Sequence, residues 1–172
     1  MRRLLTFVFC ISLVSGFCQS HTGVSLQASA HLHFGANGLG ANDAGAGLAF
    51  GAAFFIKHTL HALAETTADY FFGDKTYYTD VTGKELKGPV LYSLKFGPQY
   101  AVSKNLALSA TFGPTLHRIY QAAFTTGYGF RFGAMERIGK QHNILVKAAA
   151  TTVSRVEAPV HYFSFGVGYC FL

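Results

Sequence analysis

The sequence predicts an all-β protein: eight antiparallel strands in up-and-down order, closed into a transmembrane β-barrel. Three observations predict it. Segments of about a dozen residues alternate bulky apolar side chains with small or polar ones, the period-two signature of a strand. Half of the residues are hydrophobic and 13% are charged, against about 25% charged in an ordinary soluble domain, so much of the exterior has to be apolar. Beyond residue 20 no run is long and apolar enough to cross a bilayer as a helix, which leaves strands as the spanning element.

Residues 1–20 read as a signal peptide. Arg2 and Arg3 supply the charged start, Leu4 to Val14 the apolar stretch, and small or polar residues follow. Cleavage is expected between residues 18 and 20, leaving 21–172 as a single barrel domain. Lipidation at Cys18 would want a small residue before it, where Phe17 stands. With Cys10 and Cys18 in the leader, Cys170 remains alone, so no intrachain disulfide framework is available. Loss of Arg2 and Arg3 leaves twelve basic residues against eight acidic ones. These cations are scattered singly rather than gathered into a stripe, which argues against a nucleic-acid partner.

The first strand is expected at 24–36. Val24, Leu26, Ala28, Ala30, Leu32 and Phe34 share one face, while Ser25, Gln27, Ser29, His31 and His33 share the other. The second, 44–56, is rich in Ala and Gly and is placed partly by spacing. The third, 60–72, puts His61, Glu65 and Asp69 on one face. In the fourth, 90–102, Tyr92, Leu94 and Phe96 oppose Ser93, Lys95 and Gly97. The fifth, 106–117, ends on His117. In the sixth, 122–134, Phe124, Tyr128, Phe130 and Phe132 alternate with Thr125, Gly127, Gly129, Arg131 and Gly133. The seventh, 143–154, again rests partly on spacing. The eighth, 160–172, is the clearest: Phe163, Phe165, Val167, Tyr169 and Phe171 oppose Ser164, Gly166, Gly168 and Cys170. A soluble sandwich would bury its large residues; in a transmembrane barrel they face lipid and the small or polar ones face the lumen.

The connections agree in part. Bacterial barrels have short turns at the periplasmic end and longer loops outside. With the N-terminus periplasmic, Lys57–Thr59 and Ser103–Asn105 are short as required, and the longest connection, 73–89, falls outside. Met135–His142 fits poorly, being longer than the outer connection Arg118–Gln121, so either a strand end is misplaced or this turn is atypical. Unpaired backbone groups are untenable in hydrocarbon, so the eighth strand has to pair with the first. No internal repeat suggests a propeller or solenoid.

The segment His161–Leu172, with an apolar or aromatic residue at every second position up to Phe171, resembles the C-terminal insertion signal of the outer-membrane β-barrel protein family. The region after residue 20 is similar in architecture to its small eight-stranded members. That resemblance implies an outer-membrane location, contact with outer-membrane lipid, and insertion by the barrel assembly machinery through Phe163, Phe165, Val167, Tyr169 and Phe171. It singles out no activity and no cofactor.

An eight-stranded barrel is just wide enough to be filled by side chains. Glu65, Asp69, Lys95, Arg131 and Lys147 all have inward parity, as do His61 and His117, and buried charge is costly unless paired. An internal salt-bridge network of structural role is the expectation, with a gated ion or proton path as the functional alternative. His31 and His33 project from one face two residues apart, as metal ligands often do, and His61, Glu65 or Asp69 would be needed to complete a site. Two ligands alone predict no metal. Acyl-transfer chemistry on lipid needs a nucleophile, a base and an orienting acid together. His161 and Ser164 have opposite parity, no His-x-Ser order occurs, and Ser29 with His31 lies on the filled side, so no catalytic residue is assigned. The connection 73–89, with Tyr77, Tyr78, Asp80, Lys84, Glu85 and Lys87, suits either a surface partner or a solvated hairpin turning at Thr82 and Gly83. The leading expectation is an integral outer-membrane protein with a structural, binding or adhesion role. A lipid-modifying enzyme and a secreted soluble barrel for a small apolar ligand are the alternatives.

Overall fold

The structure, a computed structural model, describes residues 23–37, 44–72, 88–118, 123–139, 143–154 and 159–171. The leader at 1–20, Leu172 and positions 73–87 of the long connection lie outside the described residues. Eight strands follow in chain order: β1 (Val24–Asn37), β2 (Ala44–Lys57), β3 (Leu60–Phe71), β4 (Val90–Ala101), β5 (Leu106–Arg118), β6 (Thr125–Ile138), β7 (Ile144–Ser154) and β8 (Val160–Phe171). Each pairs antiparallel with the next. β8 returns to β1 in a register running from Leu26 opposite Phe171 to Phe34 opposite Phe163, so the sheet closes into a barrel with no free edge.

Seven of the eight strands fall within two residues of their expected bounds. The sixth is shifted toward the C-terminus, from 122–134 to Thr125–Ile138. The alternation runs on past residue 134: Met135 is buried, Glu136 exposed and Ile138 exposed, while Phe124 precedes the strand. Gly139 ends the run with φ of 93°, a conformation that costs glycine little and other residues much. The awkward connection contracts to 139–143, so a misplaced strand end was the cause. Three short connections, at 58–59, 102–105 and 139–143, share one end with the start of β1 and the end of β8; this is the turn end. The opposite, loop end carries the connections after β1, β3, β5 and β7.

Outside, the wall is apolar. Leu32, Leu48, Phe50, Leu94, Phe96, Phe112, Phe132, Phe165 and Val167 are all exposed. Among the described residues, outward tyrosines stand near the rims, Tyr70, Tyr92 and Tyr128 toward the loop end and Tyr100 and Tyr169 toward the turn end. Tyrosine suits that level because its ring favours the apolar layer and its hydroxyl favours water. Such a surface would be a large liability in water and is what acyl chains solvate.

Inside, residues of opposite parity pack in three layers. Phe71, Leu91, Val153, Val160 and Tyr162 form an apolar cluster below the loop end. Met135, Leu145 and Cys170, with Ala107 against them, form a second toward the turn end. Between them lies a polar layer containing every buried charge among the described residues. Room for it comes from one strand: the inward positions of β2 are Gly45, Gly47, Ala49, Gly51 and Ala53. β2 sits between β1 and β3, so its small inward residues leave room beside them for His33 and Asp69 on the adjoining strands. A Cβ added at Gly47 would strike the Asp69 carboxylate and the His33 ring.

Candidate functional site: the polar lumen and its turn-end mouth

Glu65 on β3 is the hub of one group. Its Oε1 lies 3.0 Å from Arg131 Nη1 on β6, and its Oε2 lies 3.6 Å from Lys147 Nζ on β7. Neither partner strand adjoins β3, so both pairs cross the lumen. Arg131 Nη2 also donates to Ser164 Oγ at 3.4 Å, which ties β8 to the same cation. In a water-poor interior a carboxylate with two cationic partners is tolerable where a lone one is not.

Asp69 heads a second group, two repeats of the alternation closer to the loop end. Its Oδ2 accepts hydrogen bonds from Tyr162 at 2.9 Å and Thr67 at 3.1 Å, and its Oδ1 lies 2.9 Å from His33 Nε2. The His33 ring also stacks on Phe71 at 5.4 Å and meets the edge of Tyr162 at 5.1 Å. One face of this group is therefore polar, and the other merges into the loop-end apolar cluster.

Lys95 reaches the lumen from β4, wholly buried, beside Gly129. Its ammonium makes no hydrogen bond to the described residues. The five sequence-assigned interior charges thus fall into a triad of Glu65, Arg131 and Lys147, an Asp69 served by neutral donors and His33, and a separate Lys95. Gln27, His31 Nδ1 and Thr151 Oγ1 are also buried without a partner among the described residues. Buried polar atoms of this kind are the usual hosts of internal water.

The histidines part company. His31 Nε2 is 2.9 Å from Ser29 Oγ, while His33 turns to Asp69; the two rings stack with centroids 6.4 Å apart. His61 stands near the turn end against Phe55, and His117 near the loop end with Thr125 Oγ1 at 2.7 Å. Among the described residues no group of three His, Cys, Asp or Glu side chains is placed to hold a metal ion. Ser164 points inward, whereas His161 points outward and contacts Thr152 Oγ1 at 3.0 Å. The Ser29–His31 pair is sequestered in the lumen. Tyr162, which sequence reasoning passed over, sits at the centre of the Asp69 group; its inward parity on β8, next to Ser164, was the available signal.

The lumen opens at the turn end. A cavity of about 220 Å³ occupies the turn-end mouth, lined by His58, His61, Gln99, Lys104, Asn105 and Arg137 among others. Gln99 and Met135 form its floor and also border a cavity of about 20 Å³ beside Glu65, Arg131 and Lys147. Toward the loop end the apolar cluster intervenes.

No protein-family model matches the sequence, and no curated protein sequence does. Solved structures do match in shape. The chain is similar to the attachment invasion locus protein Ail of Yersinia pestis, with 12% identity, a TM-score of 0.63, and coverage of 87% of this chain and 99% of that one. It is similar to Neisserial surface protein A, with 15% identity, a TM-score of 0.61, and coverage of 87% and 96%. The N-terminal β-barrel domain of Pseudomonas aeruginosa OprF matches at 13% identity and a TM-score of 0.58, over 86% and 97%. At such identities the likeness speaks for the fold. With the closed eight-stranded sheet and the apolar outer wall, the chain has the fold of the small transmembrane β-barrels of the bacterial outer membrane.

Proposed function

We propose that the protein is a non-enzymatic integral protein of the outer membrane, its strands an anchor and its loop-end connections the seat of a binding or adhesion role. The observation that carries this reading is the division of labour in the wall. Outward side chains suit lipid, the inward carboxylates of Glu65 and Asp69 are held by lumen partners, and the loop-end apolar cluster packs between the polar layer and the loop end. Recognition of anything beyond the membrane then falls to the connections. Among these, 73–89 is the longest and carries Tyr77 and Tyr78 close to Asp80, Lys84, Glu85 and Lys87, a mix of aromatic and charged groups that suits protein surfaces. The attachment invasion locus protein of similar shape has also been solved with the heparin analogue sucrose octasulfate.

Phe163, Phe165, Val167 and Tyr169 form an exposed outward row on β8, with Phe171 half-buried at its end. We assign this row to the barrel assembly machinery during insertion. Glu65, Asp69, Lys95, Arg131 and Lys147 serve to fix the packing of the lumen rather than to conduct, because the apolar layer blocks continuation toward the loop end.

The test replaces residues 74–87 by a Gly/Ser linker and compares binding of whole cells to immobilised extracellular matrix proteins. Loss of binding, with the barrel still heat-modifiable on gels, is the expected result. Binding that survives the replacement contradicts the assignment to this connection, and altered acyl chains on lipopolysaccharide incubated with the refolded protein would favour an enzyme instead.

A further inference from the structure

The turn-end mouth is built from cations with little to neutralise them. Lys104 lies in the turn between β4 and β5, Arg137 near the end of β6, His58 in the β2–β3 turn and His61 just after it on β3; all four line the one cavity. Neither Lys104 nor Arg137 forms an ion pair among the described residues. The frame that holds them is specific. Ser103 Oγ accepts the backbone N–H groups of Asn105 at 3.3 Å and Leu106 at 3.1 Å, and Asn105 O accepts Arg137 N at 2.8 Å, so the turn carrying Lys104 is fastened to the strand carrying Arg137. Beneath them Gln99, 4% exposed, lines the cavity floor.

The sequence shows the same bias on a larger scale. Of the eight acidic residues, Asp43, Asp74, Asp80, Glu85 and Glu157 belong to loop-end connections, Glu65 and Asp69 to the polar lumen, and only Glu136 to the turn end. Glu136 is exposed and on outward parity, away from the mouth. Lys57, Lys104, Arg137 and Lys140 gather at the turn end by position, whereas the loop-end acids are matched by Lys75, Lys84, Lys87, Arg118 and Arg155. The lumen adds to the field, since Lys95, Arg131 and Lys147 outnumber Glu65 and Asp69. Low-dielectric walls focus such a potential on the opening.

The geometry points to a binding site for a phosphate-class oxyanion in the turn-end mouth, held by Arg137 and Lys104 with Gln99 and the two histidines as further donors. A guanidinium offers a fork that fits tetrahedral oxyanions, and an ammonium adds a mobile point charge. Two full cations and, among the described lining residues, no carboxylate suit the several exposed oxygens of a tetrahedral phosphate, monoester or diester, better than the two of a carboxylate. A cavity of about 220 Å³ admits inorganic phosphate or the phosphate end of a larger molecule. The same chemistry is offered by a free phosphate monoester and by a phospholipid headgroup folding over the rim.

The test is calorimetric titration of inorganic phosphate into the full chain in a non-ionic detergent without phospholipid, repeated with a phosphatidylglycerol nanodisc. Binding of one phosphate per chain in detergent, weakened at least tenfold by Lys104→Gln and by Arg137→Gln and unchanged in the loop-end control Arg118→Gln, is the expected result. Phosphate binding that is present in detergent and lost in the phosphatidylglycerol nanodisc identifies the headgroup as the source. Lys104 lies in an exposed turn, so its variant reports on the site even if Arg137→Gln fails to fold. Absence of phosphate binding in detergent together with no lipid effect, equal affinity for acetate, or binding indifferent to Lys104→Gln overturns the proposal.

Discussion

The two ends of the lumen are built in opposite ways. Toward the loop end Phe71, Leu91, Val153, Val160 and Tyr162 pack into an apolar seal, and among the described residues no fully buried charge lies beyond Asp69. Toward the turn end the apolar contacts are fewer, Met135 borders open space, and cations ring the mouth. The difference teaches that, among the described residues, the polar layer is bordered by open space on its turn-end side and by packed apolar side chains on its loop-end side.

The sharpest way to break that comparison is to weaken the seal. Phe71→Ala removes a wholly buried ring that stacks on His33 and meets the edge of Tyr162 at 5.2 Å, and a loss of about 3–5 kcal/mol is expected. Urea unfolding in lipid vesicles measures it. Arg131→Met tests the middle layer. It leaves Glu65 with Lys147 alone at 3.6 Å, and breaking a buried pair by removing one partner costs about 3–5 kcal/mol. The matching change at the open end, Met135→Ala, has a smaller expected cost of about 2 kcal/mol, the low end for such truncations, because the site already borders a cavity. Equal losses for Phe71→Ala and Met135→Ala would mean that the ends are equally packed. The smallest effect belongs to Lys95→Met. Lys95 holds no hydrogen bond to the described residues, and an apolar isostere of a buried charge is often neutral or stabilising; a change within about 1 kcal/mol is expected. A loss as large as that of Arg131→Met would show that Lys95 is a member of the Glu65 triad.

The wall was more legible in the sequence than the lumen. Alternation fixes which side chains share a face, since it depends only on neighbours along one strand, and that is why β1, β4 and β8 were readable residue by residue. β2 and β7 were harder because Ala and Gly give little contrast between faces. The end of β6 misled because Glu136 and Arg137 look like turn residues, whereas near a barrel rim an outward Glu and an inward Arg both reach water. Inward parity identified the charges, but which of them meet depends on the stagger between strands and on distances across the lumen. Arg131 and Glu65 are 66 positions apart on strands that do not touch, and nothing local in the sequence encodes their contact. The mouth was illegible for the same reason: Gln99, Lys104 and Arg137 come from three places in the chain and converge only when the barrel closes.

All of this rests on the outward rows meeting acyl chains, and the sequence allows a direct measurement because it contains no tryptophan. Phe130→Trp, at mid-strand on the outer face, and Phe71→Trp, in the seal, each place a lone indole on a known side of the wall. In vesicles of brominated lipid, fluorescence at position 130 should be strongly quenched and that at position 71 spared, with neither accessible to acrylamide from the aqueous phase. Quenching by acrylamide but not by brominated chains at position 130 would place that face in water and contradict the transmembrane barrel.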